Sequence, residues 1–166
     1  MKAGLVIVAV VSVVATLLGM VAFAASSFDS FDILAAQKTA PFPRITKGEI
    51  HLYPDKVVID VKDPQWATFE GSKSMAPVFD QGHYAIEVAP QSMQDIHVGD
   101  IISYESQYAT GTLVHRVVEL GQDDGSGTRD TRDGWYAIAK GDNNPTPDPG
   151  KIRFSQIKRV MAVVIY

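Results

Sequence analysis

The apolar positions divide the chain into stretches of different pattern. Residues 3–25 read "AGLVIVAVVSVVATLLGMVAFAA", about 23 residues without a charge, enough for a helix to cross a hydrocarbon core of roughly 30 Å. The stretch that follows, "SSFDSFDILAAQKTAPFPRITK", is polar, and Pro41 and Pro43 stop a helix from continuing, so it is predicted to be a stalk. From Gly48 onward the apolar residues come in short β-rich runs: "KVVIDV", "WATFEG", "HYAIEV", "DIISYES", "TLVHRVVEL", "WYAIAKG" and "KRVMAVVIY". Turn chemistry separates them ("DPQ", "DQG", "VGD", "ATG", "DDGSG", "DNNPTPDPG"), which predicts a mainly β, antiparallel sandwich or barrel. Outside the first stretch, no apolar pattern of helical period exceeds about two turns. The predicted organisation is a transmembrane anchor over residues 1–26, a stalk over 27–47 and a β-domain over 48–166. The charged, glycine-rich segment Gly121–Trp135 is expected to be a solvated, mobile hairpin loop.

The first stretch has a competing reading as a cleaved signal peptide, because "AFA" before Ala25 has a small-x-small pattern and Lys2 supplies a positive start. Its apolar run is longer than the usual signal-peptide core of about 7–15 residues, which favours a retained anchor. Lys2 precedes the run, whereas Asp29 and Asp32 follow it. The positive-inside rule then places the N-terminus in the cytoplasm and the β-domain on the exported side of a cell or endoplasmic reticulum membrane. The terminal "VMAVVIY" is too short to span and reads as a closing strand.

Composition narrows the chemistry. A net charge of −4 leaves no basic surface of the kind that neutralises phosphates, so nucleic acid is not an expected partner. The chain has no cysteine, which removes disulfides, thiolate metal sites and cysteine nucleophiles. His51, His83, His97 and His115 show no helical i, i+4 spacing, so neither a metal nor any other cofactor is expected.

Three polar clusters interrupt the β pattern: Ser72 and Ser74 in "GSKSMAP", His115 in "TLVHRVV", and Asp142 with Asp148 in "KGDNNPTPDPG". Singly, each has a plain explanation as turn hydroxyls, a buried imidazole or Asx-turns. Together they carry one chemical meaning. A serine hydroxyl becomes a nucleophile when a neutral histidine removes its proton, and an aspartate can orient that histidine and stabilise the imidazolium. A Ser-Lys mechanism through Lys73 or Lys140 is the rival; Lys73 adjoins Ser74 on what reads as a strand, where neighbours point to opposite faces.

These boxes, in this order behind one N-terminal span, resemble those of type I signal peptidases, most closely the branch found in archaea and the endoplasmic reticulum. The resemblance covers about the last 120 residues in outline, judged by the order and spacing of the boxes. It implies a signal-peptidase-like β-domain in which Ser74 is the nucleophile, and Ser72 helps the Ser74 backbone N–H to bind the oxyanion. Met75 and Pro77 complete its motif, and the proline is expected to fix the chain beyond Ser74 at a strand end. His115 stands where bacterial members place a lysine base. Of the two acids, the resemblance implies Asp148 as partner of His115 with Asp142 in support, and leaves an exchange of those roles open. It further implies that an extended preprotein pairs with Thr68, Phe69, Glu70 and Gly71 as an added strand, its small side chains entering shallow pockets near Met75. One departure is Gly82-His83, where the family often has Gly-Asp. The expected partners are preproteins with signal peptides, the lipid bilayer and the export translocon. Two other readings stand beside this one: a related protease processing a narrow set of surface or pilin-like proteins, and a non-catalytic tethered β-domain that binds exported proteins.

Overall fold

A computed structural model describes residues 38–123 and 134–166. The expected anchor, the stalk up to residue 37 and most of the expected loop Gly121–Trp135 lie outside the described residues. Among the described residues no helix is long and apolar enough to cross a membrane.

The chain is mainly β and every strand pair is antiparallel. The strands are β1 (Ile50–Leu52), β2 (Val57–Ile59), β3 (Gln65–Thr68), β4 (Tyr84–Val88), β5 (Ile101–Glu105), β6 (Thr112–Gln122), β7 (Trp135–Lys140) and β8 (Ile157–Ile165). Seven of them fall within or overlap the runs rich in β-branched and aromatic residues; β1 is too short to show alternation in the sequence. It pairs with β2 in a separate ribbon, while the other six form one sheet in the order β3-β4-β8-β5-β6-β7. The last strand of the chain is therefore central to that sheet.

Both faces of the sheet are covered, as its neighbouring residues show. Ile102, Tyr104, Val117 and Val160 belong to one apolar cluster with Ala137, Ala139 and Ile152. Their neighbours Ile101 and Met161 belong to another with Met75, Phe79 and Ala85. Successive strand residues point to opposite faces, so β5 is buried on both sides, and its pattern leaves only Glu105 exposed.

The compact unit begins at Thr39, within the stretch that the sequence suggests as a stalk. The cause is Asp100, whose carboxylate is fully buried and requires donors. It accepts the backbone N–H groups of Phe42 and His97, each at 2.9 Å, and pairs with the Arg44 guanidinium. Phe42 also stacks on the His97 ring with centroids 4.0 Å apart. At Gly99, with φ at +101°, a Cβ would lie 2.2 Å from the Ala40 carbonyl oxygen, so the incoming segment runs where only glycine leaves room.

The sheet ends at β3 on one side and β7 on the other, with no ladder between them among the described residues. The loops that follow these two edges nevertheless meet. The Asn143 N–H donates to the Ser74 carbonyl at 2.8 Å, and Asn143 Nδ2 donates to the Lys73 carbonyl at 3.2 Å. The Asp142 N–H reaches Met75 Sδ at 3.4 Å. The contact joins the turn that holds Ser74 to the loop beyond β7.

Candidate active site

Ser74 does not stand at a strand end, contrary to the expectation from the sequence. β3 closes at Thr68, and Ser74 opens a turn that runs to Val78. Lys73 enters that turn in the left-handed region at φ +59°, so the alternation argument against it does not apply. The turn closes through Ala76 N–H to the Lys73 carbonyl at 3.2 Å and Val78 N–H to the Met75 carbonyl at 2.9 Å, with a cis peptide at Ala76–Pro77. Met75 and Phe79, both buried, fasten it to the second apolar cluster. Pro77 thus belongs to the turn that presents Ser74 rather than to a strand terminus.

Ser72 lies beside the nucleophile candidate. Its Oγ is 3.0 Å from Ser74 Oγ and accepts the Ser74 backbone N–H at 3.3 Å. A hydroxyl and a backbone N–H are therefore already gathered at one corner. Gly141 supports that corner from the opposite loop: a Cβ there would lie 2.8 Å from the Ser74 carbonyl oxygen and 2.6 Å from Asn144 Nδ2. The glycine of the Lys-Gly-Asp box thus permits close approach of two backbones.

His115 lies on β6 opposite Ile102 of β5, with its side chain 8% exposed. Its Nδ1 is 2.6 Å from Asp148 Oδ2. Asp148 is set by its own backbone, whose N–H donates to the Ala139 carbonyl of β7 at 2.8 Å. The same Oδ2 accepts the Tyr104 hydroxyl at 2.7 Å. Tyr104 was not among the residues singled out in the sequence, where a tyrosine in an apolar strand looks like ordinary core. Its one signal is that a buried Tyr hydroxyl must find a partner. Burial, the bond to Asp148 and the charge of that carboxylate all push the phenol upward, so it remains a donor.

The two acids of the final box are separated in role. The Asp142 carboxylate engages Arg116, accepting Nε at 2.8 Å and Nη2 at 2.7 Å. Arg116 Nη1 donates in addition to the Gly99 carbonyl at 2.8 Å and the Thr39 carbonyl at 3.2 Å. Asp142 therefore fastens the loop that touches Ser74 and Met75, while Asp148 holds the imidazole.

A cleft of about 430 Å³ brings the clusters together: Ser72, Ser74 and Met75 line it with His115. Thr68, Phe69 and Glu70 form the wall nearest the free edge of β3, whereas Gly71 is not among the lining residues. With Nδ1 bonded to Asp148, Nε2 is the imidazole nitrogen left for chemistry in the cleft, and among the described residues it has no hydrogen-bond partner. Neither Lys73 nor Lys140 lines this cleft. His83 accepts the Asp80 N–H at Nδ1, 2.9 Å away, so the Gly82-His83 departure serves a turn. His51 bonds Asp60 at 2.9 Å and His97 packs on Phe42, which leaves the four histidines at separate places. Among the described residues no group of three or more His, Asp or Glu side chains is arranged to hold a metal ion.

The chain matches no family model, and comparison with curated proteins and with solved structures gives no match.

Proposed function

We propose that this protein is a membrane-anchored serine endopeptidase that removes signal peptides from exported preproteins after small-x-small sites. The reading is carried by one observation: His115, held at Nδ1 by Asp148, shares a cleft with Ser74 and Ser72. A histidine fixed in this way presents Nε2 to the cleft, the orientation a serine nucleophile requires of its base.

In the reaction, His115 Nε2 takes the proton from Ser74 Oγ as the oxygen attacks the scissile carbonyl. The developing oxyanion is received by the Ser74 N–H, which leaves Ser72 Oγ to do so, and by the Ser72 hydroxyl beside it. The C–N bond then breaks, the leaving amine takes the proton from Nε2, and the signal peptide stays esterified to Ser74. Water, deprotonated by the same nitrogen, hydrolyses the ester and restores the serine. The substrate main chain pairs along Thr68–Glu70 beside β3, which among the described residues is an edge strand able to accept an added strand. The anchor over residues 1–26 holds this cleft at the membrane, where preproteins and the translocon are met, and raises the effective concentration of substrate.

The test is cleavage of a preprotein by the purified full chain in lipid. Wild type is expected to cut after the small-x-small site, Ser74→Ala to be inactive and His115→Ala to be lowered by at least about 10³-fold. Undiminished cutting by Ser74→Ala would remove the nucleophile assignment. A folded wild type that binds preprotein and cuts none would favour the tethered binding domain, and cutting confined to a few surface proteins would favour the narrower protease.

A further inference from the structure

We infer that Tyr104 is a positioning residue of the site, acting through Asp148 to keep His115 in the tautomer that leaves Nε2 free as a base. The geometry is a three-way junction at one atom. Tyr104 Oη lies 2.7 Å and His115 Nδ1 2.6 Å from the same carboxylate oxygen, Asp148 Oδ2. The sheet makes this junction: Tyr104 faces Leu113 and Ile102 faces His115 across β5 and β6. Tyr104 and His115 are consequently diagonal neighbours on one face, within reach of a third group placed above them. Asp148 comes from a different segment, the loop beyond β7, and would be free to turn about its own side-chain bonds if its backbone bond to Ala139 were its only restraint.

The hydroxyl supplies the second restraint. Tyr104 is 1% exposed, so its ring cannot swing to solvent, and its phenol remains protonated. It can therefore only donate to Asp148, which fixes the carboxylate plane and leaves Oδ2 acting as an acceptor toward Nδ1–H. A carboxylate held as a pure acceptor excludes the alternative tautomer, in which Nδ1 would have to be the acceptor. Phenylalanine would fill the same core volume without this effect. Glu70 and Asp80 are the other ionisable side chains lining the cleft, and Asp80 accepts the Lys73 N–H at 3.2 Å, away from the junction.

The catalytic consequence rests on the proposed peptidase reaction, but the tautomer can be measured without it. The full chain in detergent micelles is labelled with ¹⁵N-histidine, and the His115 resonances are identified by their loss in His115→Gln. Tyr104→Phe is expected to lower the share of the Nδ1–H tautomer. It should also reduce kcat for a preprotein on the order of tenfold with KM little changed, as loss of base alignment would. In an Asp148→Asn background the further change to phenylalanine should have no effect on either quantity. An unchanged tautomer share in folded Tyr104→Phe overturns the inference. So does an equal kcat loss in both backgrounds, because the hydroxyl would then act independently of Asp148. If the tautomer shifts as expected while wild type cuts no preprotein, the peptidase reading fails and the positioning role stands.

Discussion

Arg116 grips Asp142 through two side-by-side hydrogen bonds, Nε to Oδ1 at 2.8 Å and Nη2 to Oδ2 at 2.7 Å, one position along β6 from His115. Both side chains are nearly buried, at 7% and 3% exposure. The pair joins β6 to the loop whose backbone contacts Ser74 and Met75, so the strand that carries His115 also holds the loop that supports Ser74.

Removing one partner of a buried pair leaves the other uncompensated. Asp142→Ala is expected to destabilise the protein by about 3–5 kcal/mol, read from the midpoint of denaturant unfolding. Replacing Arg116 and Asp142 together by Met and Leu should cost much less than Asp142→Ala. Equal losses would show that the pair is not what ties the loop down.

Asp148→Asn should behave in the opposite way. The amide nearly keeps the volume but carries no charge to stabilise an imidazolium, and its NH2 can turn as a donor toward Nδ1 in place of the oxygen. Unfolding should change by no more than about 1–2 kcal/mol while kcat falls by 10² to about 10⁴. A variant that loses stability without losing turnover would reverse the roles assigned to the two acids.

Ser72→Ala removes a hydroxyl from the Ser74 corner and leaves the backbone N–H in place. Preprotein cleavage should slow by about 10²-fold in kcat, with KM nearly constant, because the lost bond strengthens only as the oxyanion forms. A pure KM effect would instead place Ser72 in ground-state binding.

Gly141→Ala tests the contact between the two loops. A methyl group 2.8 Å from the Ser74 carbonyl oxygen must displace backbone, and Asn144 Nδ2 blocks the other side. The variant is expected to fold with a lower melting temperature and to lose at least tenfold in kcat, since an ångström of misplacement at the nucleophile is costly. Wild-type turnover in Gly141→Ala would show that the loops can part without harm.

Much of this arrangement was legible in the sequence, and the exceptions share a cause. The strand runs were visible because Val, Ile, Tyr and Trp alternate between turn clusters, and β1 was not because its three residues hold no period. Ser74, His115 and Asp148 stood out as polar residues where the pattern asks for core or turn. Tyr104 and Arg116 did not, because their significance lies in partners 44 and 26 residues away, chosen by sheet order rather than by local pattern. The lead-in from Thr39 to Arg44 looked like a stalk for the same reason. Asp100, which binds it, reads in "VGD" as a turn residue, and only the folded structure shows a carboxylate fully buried among donors.

Glu87 predicts a dependence of stability on pH. It is 4% exposed on β4, where it accepts the Ser103 hydroxyl. Burial raises its pKa, opposed in part by that hydroxyl and by the charge of Arg159. The folded state therefore holds the proton more tightly than the unfolded chain. The resulting contribution is fully present below the ordinary glutamate range and is lost as pH rises through the raised value. Glu87→Gln should unfold at higher urea than wild type at neutral pH, with the difference shrinking on acidification. A constant difference across that range would mean that Glu87 does not titrate abnormally.

The central place of β8 also sets a timetable for synthesis. Between the pair β3-β4, which leads to the serines, and the trio β5-β6-β7, which carries the histidine, lies the strand Ile157–Ile165, made after both. Without those residues the sheet has two unjoined parts, and Ser74 and His115 belong to different ones. A chain that lacks β8 is thus expected to lack the cleft that Ser74 and His115 share.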